Sequence, residues 1–313
     1  MPACAAGDTA SSVHTRPPFR LPIAIAAAAG PSLLAFNVSP SSTFLNQALA
    51  LALWGWFVVA QPVPAGGAAR GAGALHVALA LVLASVLWSW GQSLPASLAL
   101  SAAGLLLAAM VMLASGTGVH AESSPERAFG DFCVGWAVAG GLNVAIALVQ
   151  VFAPDFADGD WIARSGFPGR AVGNLRQPNH LSSLLLWSTI AVVALMELRR
   201  LGRAAAAAVL AALVFAVVLT ASRTGLVGVA LLALWGVVDR RLSRPARLML
   251  VATPLVYALA WLGMAEWSRL SQHVFGGEAR LAETDISSSR FGIWSNTLEL
   301  IRRQPWGGVG FGE

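Results

Sequence analysis

The chain alternates long apolar runs with short polar stretches, and this pattern predicts its architecture. The apolar runs cover residues 21–36, 45–60, 74–90, 96–114, 130–153, 179–198, 204–221, 224–238 and 248–265. Most have a length close to the roughly 20 residues that a helix needs to cross the hydrocarbon core of a bilayer. Because lipid offers no partner to an unpaired backbone group, each run is predicted to be a helix. The pattern therefore predicts an all-α polytopic membrane protein with about nine transmembrane helices.

Arginines in the short loops predict the orientation of these helices. Two loops hold most of them: Arg199, Arg200, Arg203, Arg240, Arg241, Arg244 and Arg247. Cytoplasmic loops are enriched in basic residues, so we expect both loops, and the N-terminus, to be cytoplasmic. The predicted organisation is then a cytoplasmic tail at 1–20, a transmembrane domain at 21–265 with an outer loop at 154–178, and an outer segment at 266–313.

Composition supports this class and excludes others. The chain is 57% hydrophobic and only 11% charged, against about 25% charged residues in soluble proteins. All 20 basic residues are arginine, but they lie in loops between helices, which argues against a nucleic-acid-binding face. The two cysteines give neither a disulfide framework nor a metal-ligand spacing.

The predicted outer loop holds three arginines, Arg164, Arg170 and Arg176, on the side that the positive-inside tendency disfavours. One interpretation is that they snorkel among headgroups or pair with the aspartates of the same loop. Those aspartates are Asp155, Asp158 and Asp160. The other interpretation is an anion site, because the planar guanidinium donates in pairs and keeps its charge. The aspartates are too loosely spaced for us to predict a metal site.

The end of this loop reads GNLRQPNH at residues 173–180, immediately before an uncharged run. Pro178 suits the first position of a helix, and Asn174 or Asn179 is predicted to cap it. Helix-start chemistry does not explain Arg176, Gln177 and His180. We expect these three to form an outward-facing polar group, although a lone histidine at a helix start is more often a packing residue.

The next outer turn reads SRTG at residues 222–225. Gly225 is predicted to serve the turn, but a turn does not need Arg223. Arg223 either snorkels to the interface or has a partner or a task, because ionisable residues at membrane depth are costly.

The last segment predicts an amphipathic helix at about 289–303, because apolar residues recur there at spacings of three and four. Such a helix is suited to lie along the outer headgroup layer. Arg290 stands at its N-terminal end. It either pairs with Glu283 or Asp285, or shares a phosphate with the free amides of that helix start.

The ordered set GNLRQPNH, SRTG, SSRFGIW and PWGGVGFGE resembles the O-antigen ligase and polymerase superfamily, and within it the bacterial protein O-oligosaccharyltransferases of the PglL type. The resemblance covers roughly residues 130–313. It implies a GT-C-like, multi-pass enzyme of the bacterial inner membrane whose active face is periplasmic. It also implies transfer of a preassembled oligosaccharide from undecaprenyl diphosphate to a Ser/Thr hydroxyl of a periplasmic or pilin-like protein, without a cofactor.

The resemblance also assigns roles to residues. Arg223 and Arg290 match the family's arginines on the donor diphosphate, and we place Arg176 with them. Gln177 matches the glutamine of the family's RQPN motif, so Gln177, Asn179 and His180 are expected to position donor or acceptor. The family's catalytic histidine would lie beyond residue 313, so the catalytic residue is unknown and we expect these 313 residues alone to be inactive.

Three alternatives stay open. An O-antigen ligase would transfer the glycan to lipid A-core, and an O-antigen polymerase would extend the glycan itself. A more distant alternative is a lipid-linked sugar transporter or flippase. That class usually carries charged groups near the membrane centre, whereas the polar groups here crowd one face.

Overall fold

Ten α helices have both ends within the residues that the structure, a computed structural model, describes: 20–36, 44–59, 73–92, 94–119, 125–278, 288–303 and 305. They are α1 (Arg20–Leu33), α2 (Phe44–Val59), α3 (Gly73–Gln92), α4 (Ala96–Val119), α5 (Pro125–Phe152), α6 (Pro178–Glu197), α7 (Arg203–Thr220), α8 (Arg223–Val238), α9 (Arg244–Ser271) and α10 (Ser288–Arg303). A short 3₁₀ helix at Pro154–Phe156 follows α5. Every regular element with described bounds is helical, which confirms the predicted all-α class.

Each predicted apolar run corresponds to one of the helices α1 to α9, although several runs extend past the end of their helix by one to three residues. Six of them, α3 to α7 and α9, are long and apolar enough to cross a membrane among the residues described. By contrast, α1 has 14 residues and α2 and α8 have 16 each, which at about 1.5 Å per residue is shorter than the hydrocarbon core. The chain is a multi-pass membrane protein, while nine spans and their orientation stay predictions.

Helix α7 lies at the centre of the main bundle and packs against α5, α6, α8 and α9. Its last two turns are almost fully buried, with Leu213, Val217 and Leu219 inaccessible to solvent or lipid. A helix that is apolar on all sides suits this central position, because each side meets another helix. The two ends of α7 are therefore fixed points against which neighbouring loops pack.

Small residues let the helices approach closely. A Cβ atom at Gly140 of α5 would lie 2.4 Å from Ser188 Cβ of α6, so only glycine fits there. The Ser188 hydroxyl, at 2.8 Å, donates to the carbonyl of Trp136 across the same interface. Similarly, a Cβ at Gly135 would lie 2.5 Å from the carbonyl oxygen of Ala24 in α1. Close backbone contact of this kind supplies packing energy between helices that the hydrophobic effect cannot supply in lipid.

Two parts of the fold are peripheral. Helices α3 and α4 pack mainly on each other and reach the rest through α2. The described side chains of α10, from Phe291 onward, are exposed. The bounds of α10 agree with the helix expected at about 289–303, and its position on a membrane surface stays a prediction.

One end of the bundle, which we call the loop face, carries the long connection 153–177 between α5 and α6. The C-terminal ends of α1 and α7 contact that connection there, and the N-terminal end of α8 contacts the first turn of α6. All residues of the GNLRQPNH and SRTG motifs lie on the loop face. The opposite end carries the arginine-rich connections α6–α7 and α8–α9.

Candidate functional site

Gln150, near the end of α5, shapes the connection that leads into the first motif. Its buried side-chain oxygen accepts hydrogen bonds from the backbone N–H groups of Val172 and Gly173 at 2.9 and 2.8 Å. Its amide nitrogen donates to the carbonyls of Ala163 and Gly173 at 2.6 and 3.2 Å. One buried side chain thus satisfies backbone groups of two segments of the loop, and it fixes the backbone just before the motif.

Asn174 continues this framework and joins it to α1. Its side-chain nitrogen donates to the carbonyls of Leu33 and Trp161 at 2.6 and 2.9 Å, and its oxygen accepts from the N–H of Ala163 at 2.9 Å. The prediction that Asn174 caps α6 is therefore wrong. Its amide is instead saturated by the end of α1 and by the loop, contacts that the sequence does not reveal.

Arg176 lies beside the same end of α1. Its Nη2 donates to the carbonyl of Ala35, just past the C-terminus of α1, where a cation is favoured by the helix dipole. Its backbone has φ +58°, a left-handed conformation that is uncommon for a residue with a side chain. The side chain is exposed, so most of its five N–H donors stay accessible.

Helix α6 begins at Pro178, as predicted, because proline has no N–H to lose at the first helical position. The residue before it, Gln177, has an extended backbone and makes no side-chain capping bond. Gln177 and His180 are both exposed on the loop face. Neither side chain has a hydrogen-bond partner among the described residues, so both are free to contact a ligand.

Asn179 joins the first motif to the second. The Ser222 hydroxyl donates to Oδ1 of Asn179 at 2.8 Å and accepts from the N–H of Gly225 at 3.1 Å. The Ser182 hydroxyl lies 3.1 Å from that of Ser222, on the buried side of the same group. The prediction that Asn179 caps its own helix is therefore wrong. Asn179 instead binds the serine that caps α8 and holds the first turns of α6 and α8 together.

The SRTG motif has a different local structure from the one predicted. The left-handed residue of the turn is Ala221 with φ +48°, and Ser222 is the N-cap of α8. Gly225 lies inside the first turn of α8, where a Cβ would approach Val217 to 2.8 Å, so packing and not the turn requires glycine. Arg223 is the first residue of α8, and its exposed side chain has no ion pair or hydrogen bond within the described residues.

Two helix N-termini thus stand side by side at the loop face. The first turn of an α helix leaves backbone N–H groups without intrahelical acceptors, here those of Asn179 and His180 in α6 and of Arg223 and Thr224 in α8. No acidic residue lies in the first turn of either helix to neutralise them. The partial positive charge of both dipoles and the Arg223 guanidinium therefore favour an anion at this position.

Arg170 has a structural role. It is 9% exposed, and its Nε and Nη2 donate to the carbonyls of Thr220 and Ala221 at 3.0 and 3.4 Å. Its guanidinium also lies 5.2 Å from the centre of the Phe167 ring. These contacts satisfy the C-terminal carbonyls of α7, which explains why an arginine is found in this loop without invoking a ligand.

The loop aspartates do not pair with its arginines in the described structure. Asp158 accepts backbone N–H bonds from Asp160, Trp161 and Ile162, and these bonds, the one from Trp161 first, hold its pKa below the ordinary value. Arg164 is exposed and donates to the carbonyl of Ala157 at 3.1 Å. It lines a polar cavity of about 400 Å³ at the loop face.

The structure leaves one predicted site residue undecided. Arg290 lies in the first turn of α10, but its side chain and the residues Glu283 and Asp285 fall outside what the structure describes. The motif PWGGVGFGE also lies outside, apart from Pro305. The structure therefore unites Gln177, Asn179, His180 and Arg223 on two adjacent helix starts and sets Arg176 at the end of α1.

Two residues of this framework were missed from the sequence. Ser222 was given no role within the SRTG motif, and Gln150 was counted within an apolar run. A signal for Gln150 did exist: Asn143 and Gln150 are buried amides seven residues apart on α5, so they lie on one face of it. Buried amides inside an apolar span usually have a partner.

Family comparisons agree with this assignment of motifs. Residues 206–313 match the family described as O-Antigen ligase, and residues 171–196 match the family described as Protein glycosylation ligase. The first range includes SRTG, and the second includes GNLRQPNH and nearly all of α6. No solved structure matches the chain.

Two curated relatives come from Acinetobacter baylyi. The chain is 29% identical to a ComP-specific O-oligosaccharyltransferase over 177 residues, which is 55% of this chain and 30% of the relative. It is 26% identical to a general O-oligosaccharyltransferase over 154 residues, 46% of this chain and 27% of the relative. The aligned part is thus under a third of each relative's length. These matches confirm the resemblance to the O-antigen ligase superfamily and to its protein-glycosylating branch.

Proposed function

We propose that this chain forms the donor-binding part of a glycosyltransferase that moves a preassembled oligosaccharide from undecaprenyl diphosphate to a protein hydroxyl. The acceptor would be a serine or threonine of a periplasmic or pilin-like protein, and the reaction would take place on the periplasmic side of the inner membrane. The observation that carries the proposal is the junction of α6 and α8. There the Ser222–Asn179 hydrogen bond holds two helix N-termini together beside Arg223.

The donor diphosphate suits this junction electrostatically. Cleavage of the bond between the sugar and the diphosphate leaves negative charge on the phosphate oxygens, and fixed donors at that point lower the barrier. Arg223 and the free N–H groups of both helix starts supply such donors without a metal. Arg176 and Arg290 are proposed to contribute further guanidinium groups to the same phosphates.

The polar residues beside the junction are proposed to position the substrates. Gln177 and His180 flank Asn179 and are exposed, so each is able to contact the first sugar of the donor or the incoming acceptor. Asn179 would act by fixing the two helix starts, because its side-chain oxygen already binds Ser222.

Attack by a neutral hydroxyl also needs a general base. We propose that this base is the histidine that the family resemblance leads us to expect beyond residue 313, so His180 is not proposed for this role. In this proposal the described helices bind the donor, and the expected histidine deprotonates the acceptor hydroxyl.

Arg223 offers the direct test, in the complete protein, of donor binding at the junction. Replacing Arg223 by alanine should lower glycan transfer to a periplasmic acceptor by about 100-fold, as expected for the loss of a donor to developing negative charge. Arg223→Lys should recover only part of the rate, because lysine cannot donate in pairs. Arg203 is the matched control, since it is also exposed and begins α7 at the opposite end of the bundle. Equal activity in the Arg223→Ala and Arg203→Ala variants would remove Arg223 from the donor site.

The same assay should also be run with lipid A-core as acceptor, because residues 206–313 match the O-Antigen ligase family. Purified complete protein would receive one labelled donor with either an acceptor protein or lipid A-core. Transfer to lipid A-core alone would make the protein an O-antigen ligase, and release of labelled donor across a vesicle without transfer would favour a flippase. Transfer to the protein alone supports the proposal.

A further inference from the structure

An apolar groove runs along the surface between α6 and α8 and has no role in the site described above. Each helix lines it with four residues at the spacing i, i+3, i+4 and i+7, from Ser183 to Ile190 in α6 and from Gly228 to Trp235 in α8. This spacing places each set on one face of its helix. The groove encloses about 320 Å³.

The groove has a closed floor and raised walls. At the end of the groove nearest the junction, Gly228 lets Leu186 lie directly against α8. A Cβ at Gly228 would be 2.2 Å from Leu186 Cδ1. Leu232 is buried and forms the floor. Trp187 and Leu231 form the walls and are 60% and 58% exposed, so the groove opens toward lipid along its length.

The groove begins directly beneath the junction of the two helix starts. Ser183 lies one turn below Asn179, and Gly228 lies one turn below Thr224, a separation of about 6 Å along each helix axis. Asn179 shares the helix face that lines the groove, because it precedes Ser183 by four residues and Leu186 by seven. An anion at the junction would therefore sit at the mouth of an apolar channel.

We infer that this groove holds the first isoprene units of the polyprenyl chain whose diphosphate binds at the junction; the inference rests on the proposed function. The positive mouth and the apolar channel match a ligand with two phosphates on a single hydrocarbon chain. The groove lies between a single pair of helices, so one hydrocarbon chain is the expected occupant. A phospholipid carries two acyl chains on one phosphate and fits the mouth and the channel less well.

The first test compares, in the complete protein, donors whose prenyl chains differ in length, because only a long chain would extend along the groove. The donors are the same oligosaccharide on undecaprenyl diphosphate and on a short prenyl diphosphate that ends above Leu231. Leu231→Trp should raise KM for the long donor by about tenfold with little change in kcat, because it blocks uniform binding of the chain. KM for the short donor should stay unchanged. Leu255→Trp is the matched control, since Leu255 is 62% exposed on α9 outside the groove.

Photo-crosslinking tests whether the polyprenyl chain occupies the groove, and it requires no transfer reaction. A benzoylphenylalanine at position 231 should label with tritiated undecaprenyl diphosphate, and excess unlabelled undecaprenyl diphosphate should abolish that labelling while excess phospholipid should not. The same group at position 255 should label weakly and without such competition. Equal labelling at both positions, or equal competition by phospholipid, would overturn the groove assignment. Labelling at 231 in a protein that transfers no glycan would instead support the groove and refute the proposed function.

Discussion

The Ser222 hydroxyl donates a 2.8 Å hydrogen bond to Oδ1 of Asn179, although the two residues are 43 positions apart in the chain. This bond joins the N-cap of α8 to the first turn of α6. It also explains why two motifs that look separate in the sequence act at one place. The same first motif reaches α1 through Asn174 and Arg176, so it connects three helices at the loop face.

A double-mutant cycle should detect this coupling. Ser222→Ala removes both the N-cap and the bond, and it should lower the free energy of unfolding by about 1 to 2 kcal/mol. Asn179→Ala removes the bond alone. Because the two side chains share one interaction, the double variant should lose less than the sum of the single losses, by roughly 1 kcal/mol. Thermal unfolding in detergent would measure it.

Ser243 provides the control for that cycle. It caps α9 in the same way, accepting from the N–H of Ala246, but it lies at the opposite end of the bundle. Ser243→Ala and Asn179→Ala should therefore be additive. Additivity of Ser222→Ala with Asn179→Ala would mean that the bond does not couple the two helices.

Arg170 should affect stability and leave donor binding intact. Arg170→Met removes two hydrogen bonds to the C-terminal carbonyls of α7 and should cost about 2 to 3 kcal/mol, since buried bonds to a charged donor are strong. Arg164→Met is the comparison, because Arg164 is exposed and should change stability by less than about 0.5 kcal/mol. A rise in donor KM for Arg170→Met at unchanged melting temperature would contradict the structural role.

Gly169 should not tolerate a side chain. Its φ of +66° disfavours other residues, and a Cβ there would lie 2.1 Å from the carbonyl oxygen of Val274. Gly169→Ala should therefore destabilise the protein by roughly 1 to 3 kcal/mol and speed proteolysis after α9. Gly166→Ala in the same loop has open space around it and should be neutral. Equal melting temperatures for the two variants would show that the loop adapts.

Acid should loosen the turn around Asp158. Backbone N–H bonds, first that of Trp161, hold the pKa of this carboxyl below its usual value of 3.8. Because the pKa is lowered in the folded protein, the ionised carboxylate stabilises the turn fully above its usual pKa. This stabilisation is lost as the pH falls through the pKa of the folded protein. Hydrogen exchange at Trp161 and Ile162, corrected for intrinsic rates, should therefore quicken below pH 3.8.

Two variants separate this effect from general acid unfolding. Asp158→Asn keeps a neutral acceptor, so protection should be lower at neutral pH and should not change further with acid. Asp160→Asn should behave like the unmodified protein, because no Asp160 side-chain bond is found in the described loop. Acid-dependent protection that persists in Asp158→Asn would assign the effect to another group.

Much of the fold could be predicted because a long apolar run in lipid satisfies its backbone hydrogen bonds by forming a helix. The run at 179–198 gave α6 within one residue at each end, helped by Pro178. The run at 248–265 underestimated α9, which begins at Arg244 and ends at Ser271. Its polar ends extend the helix beyond the apolar run, since Ser243 caps it and arginine is tolerated in a first turn at the membrane surface.

The site was less predictable because its contacts depend on which helices are neighbours. The motif predicted that Asn179 is important but gave it the wrong partner, since a capping asparagine and one that binds another helix look alike in sequence. Arg170 and Arg176 also look alike in the sequence, because both are arginines of the same predicted outer loop. Only the structure shows that Arg170 is buried against α7 while Arg176 remains exposed.

The contact between Gly169 and Gly276 fixes the position of the chain that leaves α9. The N–H of Gly276 donates to the carbonyl of Gly169 at 3.0 Å, which ties the chain leaving α9 to the loop face. From Glu278 to Ser288 the chain spans at most about 35 Å when fully extended. The first turn of α10, which includes Arg290, therefore begins no farther than about this distance from Glu278. An insertion between Glu278 and Ser288 would widen this limit without changing any described contact of α5 to α9.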